Sequence, residues 1–249
     1  MQETLEKLQE LIDNSKYIVA LTGAGISTSA GIPDFRGEKG IYSLGLYDPY
    51  RTFDINYFKE DPSYFFRFAK EFLKIYEGVK PTKGHMFLAE LEKKRKLKVV
   101  ITQNIDGLHQ MAGSKNVIEL HGSFRYGRCL SCGKGYDFEW MKKTFLETDG
   151  LYCNCGGVVK PDVVFFGEPV MGIDEAQRHS VMADLFLVLG SSLTVQPASI
   201  LPYLTSGKVV IINKGDCAFP EERAEMILNN DIDSVVERLK WREGSQGLQ

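Results

Sequence analysis

Apolar positions along this chain follow two regimes. Leu5, Leu8, Leu11 and Ile12 recur at helical spacing through the otherwise polar stretch from Met1 to Lys16, which predicts an amphipathic helix lying on a core. The chain then turns almost continuously apolar in Tyr17-Ile-Val-Ala-Leu-Thr22. Similar runs recur at Lys98-Val-Val-Ile-Thr102, Leu185-Phe-Leu-Val-Leu189 and Val209-Val-Ile-Ile212. Short apolar runs bounded by turns predict strands buried on both faces, as in a parallel sheet. Helical patterns lie between them, from Met86 to Lys94 and from Asp174 to Met182. Strands alternating with helices predict an α/β fold with a doubly wound, Rossmann-like parallel sheet, whose ligands sit at the carboxyl ends of the strands.

Two segments break the alternation. Residues 36–79 are rich in aromatic side chains, and the spacing from Ser63 to Tyr76 is helical, which predicts a helical pair around an aromatic core. Residues 124–158 hold four cysteines in two close pairs. The expected organisation is therefore a large nucleotide-binding domain from 1–35, 80–123 and 159–245. A smaller domain combines the helical module (36–79) with a zinc-binding module (124–158).

Composition narrows the function classes. With 249 residues the chain is long enough for one large domain plus a small module. A net charge of −3 argues against a nucleic-acid binder held by a broad basic face. The basic run Lys93-Lys-Arg-Lys96 reads as a solvated helix end before a buried strand. No apolar run is long enough to cross a membrane. The first residues lack the layout of a signal peptide, so a cytoplasmic location is expected by default.

The five cysteines are Cys129, Cys132, Cys153, Cys155 and Cys217. Without an export signal, paired cysteines favour metal over disulfides. Cys129-x-x-Cys132 has the spacing of a zinc knuckle. Cys153-Asn-Cys155 has one residue between its thiols where a zinc ribbon has two, and Gly156-Gly157 supplies backbone freedom beyond it. Four thiolates leave no open coordination position, so the expected zinc is structural.

The strand ends carry the remaining chemistry. Gly23-Ala24-Gly25 resembles the opening of a dinucleotide turn, in which glycines let the backbone approach a pyrophosphate and a helix N-terminus supplies N–H donors. Thr28 stands where the third glycine of that pattern falls. Gly190-Ser191-Ser192 forms a second small-residue turn. Thr102-Gln103-Asn104-Ile105-Asp106-Gly-Leu-His109 packs amide, carboxylate and imidazole groups past a buried strand, where packing alone does not call for them. His121 precedes a glycine at the junction with the cysteine module, and domain junctions commonly hold active sites. His85 and His179 read as structural or surface groups in helical patterns, and His109 stays open.

Taken together, seven blocks resemble the sirtuin family of NAD-dependent protein deacylases. They are Thr22-Gly-Ala-Gly-Ile-Ser27, Gly31-Ile-Pro-Asp-Phe-Arg-Gly37, Ile101-Thr-Gln-Asn-Ile-Asp-Gly-Leu-His109, Glu119-Leu-His-Gly122, the cysteine pairs, Val163-Val-Phe-Phe-Gly-Glu168 and Gly190-Ser-Ser192. The resemblance implies NAD as co-substrate, with one structural zinc on Cys129, Cys132, Cys153 and Cys155. It implies a cofactor loop carrying Ala24, Thr28, Phe35 and Arg36. Gln103 and Asn104 match residues near the nicotinamide ribose, and Ile105 and Asp106 match the nicotinamide pocket. Ser191, Ser192 and Asn213 match contacts to the phosphates and the adenosine half, and Asp231 and Ile232 match the adenine end. His121 matches the general base, with Asn104 counted beside it as catalytic. Val164, Phe165, Phe166, Gly167, Glu168 and Val195 match the acyl-lysine tunnel and the strand that grips the peptide.

The resemblance further implies the chemistry: transfer of acetyl from a protein lysine to ADP-ribose, with release of nicotinamide. An apolar tunnel tolerates the uncharged acetylated end and rejects a free ammonium. Relatives that prefer succinyl or malonyl lysine carry a Tyr and an Arg where Ala69 and Phe72 stand here, so acetyl and other neutral acyl groups are expected. The expected partners are acetylated protein or peptide lysines, with no nucleic acid and no membrane. Rival readings are a mono-ADP-ribosyltransferase on the same site, a nucleotide sensor without catalysis and a zinc-ribbon nucleic-acid adaptor.

Overall fold

The computed structural model describes residues 2–34, 40, 45, 47–76 and 78–239. Its elements are α1 (Gln2–Asn14), β1 (Ile18–Thr22), α2 (Pro49–Phe53), α3 (Ile55–Glu60), α4 (Ser63–Tyr76), α5 (Lys83–Lys93), β2 (Leu97–Thr102), α6 (Leu108–Met111), β3 (Val117–Glu119), β4 (Gly122–Cys129), β5 (Gly135–Asp137), α7 (Phe138–Glu147), β6 (Val159–Val163), α8 (Ile173–Met182), β7 (Leu185–Leu189), α9 (Leu201–Leu204), β8 (Lys208–Ile212), β9 (Met226–Leu228) and α10 (Ile232–Val236). A 3-10 segment, Ala24–Ala30, follows β1.

Six strands form a parallel sheet in the order β3-β2-β1-β7-β8-β9. Every residue of β1 and β7 is buried, which explains their uninterrupted apolar sequence. Successive side chains point to opposite faces. On one face Ile18, Ala20, Leu187 and Val210 pack under Leu8 and Ile12 of α1, Leu88 and Leu91 of α5, and Val235 of α10. On the other, Val19, Leu21, Phe186 and Val188 meet Ala176 of α8 and Leu201 of α9. Each of the buried Val, Leu, Ile and Phe side chains among these contributes about 1.5–3 kcal/mol by leaving water. The strand order reverses between β1 and β7, and that reversal opens a crevice at the carboxyl ends of the strands.

The second sheet is antiparallel, in the order β5-β4-β6. Here β6 pairs with β4, so residues 159–163, expected with the larger unit, lie in the cysteine module's sheet. The expected helical pair is three helices. Asp54 ends α2 in extended backbone and caps α3, accepting from the N–H groups of Asn56 and Tyr57. Phe53, Phe58, Phe65 and Phe165 meet edge-to-face or tilted at centroid distances of 4.8–6.2 Å, a geometry that adds to burial. Phe65 also stacks on Phe124, and Phe66 meets Phe145. Helical and cysteine modules therefore share one apolar core. No helix among the described residues is long and apolar enough to cross a membrane.

Candidate active site at the sheet reversal

Gly23, Gly25 and Gly190 make the reversal possible. A Cβ at Gly23 would stand 2.7 Å from the Gly190 carbonyl oxygen, and one at Gly25 would stand 2.7 Å from Gly190 Cα. Gly190 has φ +66°, and a Cβ there would meet the Ile26 nitrogen at 2.4 Å. These glycines let the β1 and β7 exit turns lie on one another. The Gly25 N–H is spent on the Gly190 carbonyl at 2.9 Å, and Ile26 N–H on Gly23. The expected row of free donors at this turn is thus partly used for loop-to-loop closure. The crevice stays open because its floor has side chains of at most two heavy atoms at Gly23, Ala24, Gly25, Gly190 and Ser191.

The polar block beyond β2 is tied across this floor. Gln103 Nε2 donates to Ser191 Oγ at 2.8 Å. Asn104 Nδ2 donates to the Gly23 carbonyl at 3.2 Å and to Ser27 Oγ at 3.1 Å. Ser27 Oγ in turn donates to Asp106 Oδ2 at 2.7 Å, and Asp106 Oδ1 accepts the Leu108 N–H at 2.9 Å. Asn104 and Asp106 are buried polar groups whose bonds meet the cost of burial. Ser27 was not among the residues expected from sequence. Its only sequence signal is its place in the glycine turn, 79 residues from the carboxylate it fixes.

His121 lies between β3 and β4. Its Nδ1 sits 2.9 Å from the Gln103 carbonyl oxygen. A carbonyl only accepts, so Nδ1 carries the hydrogen and Nε2 presents a lone pair. Burial pulls the imidazole pKa below its ordinary 6.5, against the raising effect of that bond. His121 is neutral and basic at Nε2 near pH 7.

His109 and His85 take no part in the crevice surface. Thr22 Oγ1 donates to Thr102 Oγ1 at 2.8 Å and lies 2.9 Å from His109 Nε2. His85 completes the N-terminal box of α5 with Thr82 and is buried rather than exposed. His179 Nδ1 lies 2.9 Å from the Tyr17 hydroxyl.

Other expected residues are spread along the same edge. Thr28 Oγ1 donates to the Gly25 carbonyl within its own turn. Ser192 Oγ pairs with Thr194 Oγ1 at 3.0 Å. Asn213 Nδ2 donates to the carbonyls of Gly215 and Asp216, shaping the loop after β8. Asp231 caps α10 by accepting from Ser234 N–H at 2.9 Å, and Ile232 is buried against α5. Phe35 and Arg36 lie outside the described residues. Val195 is half-buried, and its carbonyl accepts from Ser199.

The turn after β6 joins the modules. Val164 N–H donates to the His121 carbonyl at 2.9 Å. Phe166 N–H donates to Phe53 at 2.7 Å, and its carbonyl accepts from Ile55 at 3.1 Å. Gly167 has φ +91°. Close by, Phe72, Leu73, Ile105, Phe124 and Phe138 wall a cavity of about 120 Å³, with Asp106 and Arg125 at its margin. Arg125 is tied to Glu119 and Ser123. Ala69 is fully buried, Arg67 lies over the Tyr64 ring and Lys70 pairs with Asp149.

The four paired cysteines converge. Their sulfurs lie within 4.8 Å of one another, with Cys129–Cys155 at 3.5 Å and Cys132–Cys153 at 3.6 Å. A tetrahedral zinc with Zn–S bonds of about 2.3 Å needs sulfurs about 3.8 Å apart, so the set fits. The shortened pair closes through Gly156 at φ +85°, whose N–H bonds the Cys153 carbonyl. Cys217 stands apart, and burial pushes its thiol up to about 11.

A doubly wound sheet with a polar crevice at its reversal and a four-thiol knuckle on a side module defines a nucleotide-site α/β protein whose small domain carries four thiols placed to hold a metal. The Sir2 family model matches residues 23–197. The chain is 46% identical over 213 residues to an NAD-dependent protein deacetylase of Sulfurisphaera tokodaii, covering 84% of each protein. It is 43% identical over 246 residues to one of Thermotoga maritima, covering 96% of this chain and 98% of the other. Among solved structures, a Sir2 protein with a deacetylated p53 peptide and 3′-O-acetyl ADP ribose superposes with a TM-score of 0.89 at 43% identity, over 94% of this chain and 96% of that one. A Sir2 complex with p53 peptide and NAD+ gives 0.85 at 42% identity, with the same coverage. The chain belongs to the Sir2 family.

Proposed function

We propose that this protein is an NAD-dependent protein-lysine deacetylase that moves the acetyl group of acetyl-lysine to ADP-ribose and releases nicotinamide. The observation that carries the reading is the tautomer of His121, neutral and basic at Nε2 because Nδ1 is bound to the Gln103 carbonyl. The deacetylase relatives and the Sir2 complexes with NAD+ and with acetylated peptide support it.

NAD, when bound, supplies an electrophilic ribose carbon and a leaving nicotinamide. The floor of small residues from Gly23 to Gly25 and at Gly190 and Ser191 fits such a ligand, since larger side chains would fill it. The family resemblance assigns Ala24, Thr28, Phe35 and Arg36 to its binding. Gln103, Asn104, Ile105 and Asp106 hold its nicotinamide half, and Ser191, Ser192, Asn213, Asp231 and Ile232 its phosphates and adenosine half. Asn104 spends its amide N–H groups on Gly23 and Ser27, which leaves Oδ1 to accept from a hydroxyl. His121 Nε2, unprotonated near pH 7 because burial lowers its pKa, would take a hydroxyl proton. Val164, Phe166, Gly167, Glu168 and Val195 grip the peptide backbone and the acyl-lysine stem, a mode that tolerates many sequences.

Cys129, Cys132, Cys153 and Cys155 hold a structural zinc. A nucleotide domain (1–35, 80–123 and 164–245) and a two-module small domain (36–79 and 124–163) belong to the same proposal, the boundary moved from 158 to 163 because β6 pairs with β4. The substrates are acetylated protein lysines rather than nucleic acid or membrane. Four thiols arranged for metal support a cytoplasmic location.

An acetyl-lysine peptide is incubated with the protein, with and without NAD, and its mass followed. NAD-dependent loss of acetyl is expected. His121→Ala should slow it at least about 100-fold while NAD binding persists. No loss from several acyl peptides, despite NAD binding, overturns the proposal in favour of ADP-ribosyl transfer or sensing.

A further inference from the structure

Lys160 is a buried lysine in the second residue of β6, only 7% exposed. A cation in that position costs several kcal/mol unless it is fully engaged. Its Nζ donates to the Val163 carbonyl at 2.6 Å and lies 2.9 Å from Glu168 Oε2. It also stands 4.3 Å from the centroid of the Phe165 ring. The same Glu168 oxygen accepts the Phe165 N–H at 2.8 Å, and Glu168 N–H returns to the Phe165 carbonyl at 3.0 Å. One ammonium therefore closes the turn from Val163 to Glu168 at both ends and along its aromatic middle. No other lysine or arginine among the described residues bonds to this turn.

We infer that Lys160 is the positioning residue of the peptide-binding turn, setting affinity for the acyl-lysine substrate without touching it. The inference rests on the deacetylase reading. The turn has three outward attachments, Val164 to His121 and Phe166 to Phe53 and Ile55, so its place in the cleft is set from outside. Its internal shape is set by Lys160. Burial lowers the lysine pKa while Glu168 and Asp162 raise it, so the charge is held by its partners. Loss of the ammonium leaves the Val163 carbonyl and the Glu168 carboxylate without it, and the turn opens on the side where Gly167 and Glu168 face substrate.

The test compares the wild type with Lys160→Met, Lys160→Gln and Lys160→Arg. The readouts are KM and kcat for an acetyl-lysine peptide, anisotropy of a fluorescein-labelled acetyl-lysine peptide and NAD affinity. Lys160→Met should raise the peptide KM and Kd at least tenfold, change kcat less than threefold and leave NAD affinity within twofold. Lys160→Arg should restore most of the peptide affinity, and Lys160→Gln should fall between. If Lys160→Met does not fold, Lys160→Gln decides, with a peptide Kd raised at least threefold at unchanged NAD affinity. Unchanged peptide Kd in a folded variant overturns the inference, as does parallel loss of peptide and NAD binding. A wild type that binds the peptide without deacetylating it overturns the functional reading alone, and the variants' Kd values still judge the lysine.

Discussion

His85 and His109 face each other beneath the crevice, ring centroids 4.6 Å apart, both fully enclosed by protein. Thr82 N–H donates to His85 Nδ1, so His85 carries its hydrogen on Nε2. Thr22 spends its hydrogen on Thr102, so His109 donates from Nε2 and keeps a lone pair on Nδ1. His85 Nε2–H and His109 Nδ1 are each buried without a hydrogen-bond partner among the described residues. The arrangement requires both rings neutral.

Acid should therefore destabilise the fold before carboxylates titrate. Burial lowers the His85 pKa to about 4, and burial with the neighbouring His85 lowers that of His109 well below 6.5. Below about pH 6.5 the unfolded chain binds protons that the folded chain refuses. Stability is full above that pH and falls as pH drops toward 4, by about 3 kcal/mol for His85 alone. Urea midpoints at pH 7.5 and pH 5 should differ accordingly. His85→Gln should flatten the slope, and equal midpoints would falsify the account.

Ser27→Ala should be costly for its size. The hydroxyl bridges Asn104 and Asp106, and its removal leaves buried groups short of a partner at about 1–3 kcal/mol. A drop in kcat/KM of about tenfold should accompany a lower melting temperature. Catalysis at the wild-type rate would show that the bridge is only scaffolding.

Succinyl-lysine peptides should be poor substrates, at least about 100-fold below acetyl-lysine peptides in kcat/KM. The cavity beside Ile105 is aromatic and aliphatic, its one cation, Arg125, is already paired, and a buried unpaired carboxylate is strongly disfavoured. Arg67 and Lys70, close in sequence to Ala69 and Phe72, are engaged by Tyr64 and Asp149 instead. Competing acetyl and succinyl peptides in one reaction, resolved by mass, measures the ratio directly.

Strong chelation should remove one zinc per chain and cost at least about 3 kcal/mol, lowering the melting temperature by about 6–12 °C. Cys132→Ser should reproduce the effect. New protease sites should appear within residues 124–163 first, because a metal held by Cys129, Cys132, Cys153 and Cys155 would join the two cysteine pairs across that module. Unaltered melting of verified metal-free protein counts against a structural metal.

Sequence pattern located the central strands because β1 and β7 are buried throughout, and β2 and β8 at every residue but Lys98 and Lys208, so that they read as apolar runs. It missed β3 and β9, three-residue strands at the two edges of the sheet, too short for any period to register. It also missed the break at Asp54, where a capping carboxylate outweighs helical spacing. The crevice residues were legible as a polar block, but their roles came from family resemblance. Ser27, Lys160 and the His85–His109 pair were invisible because their meaning lies in partners that only folding brings near. The glycines were legible as turns but not as seats for one another.

The paired strands β4 and β6 run from the cysteine knuckles to the cleft: β4 starts beside His121 and ends at Cys129, and β6 starts beyond Cys155 and ends at the turn before Glu168. From Val159 to Val163, which pair with Cys129 and Gly122, β6 spans about 13 Å, beyond the roughly 8–10 Å Debye length of saline. A metal held by the cysteine knuckles would be a hinge pin at the far end of a two-bar lever, remote from the chemistry but mechanically joined to it. Ligand spacing at that far end is therefore free to drift, and the one-residue gap between Cys153 and Cys155 is the kind of change such a lever absorbs without retuning the histidine.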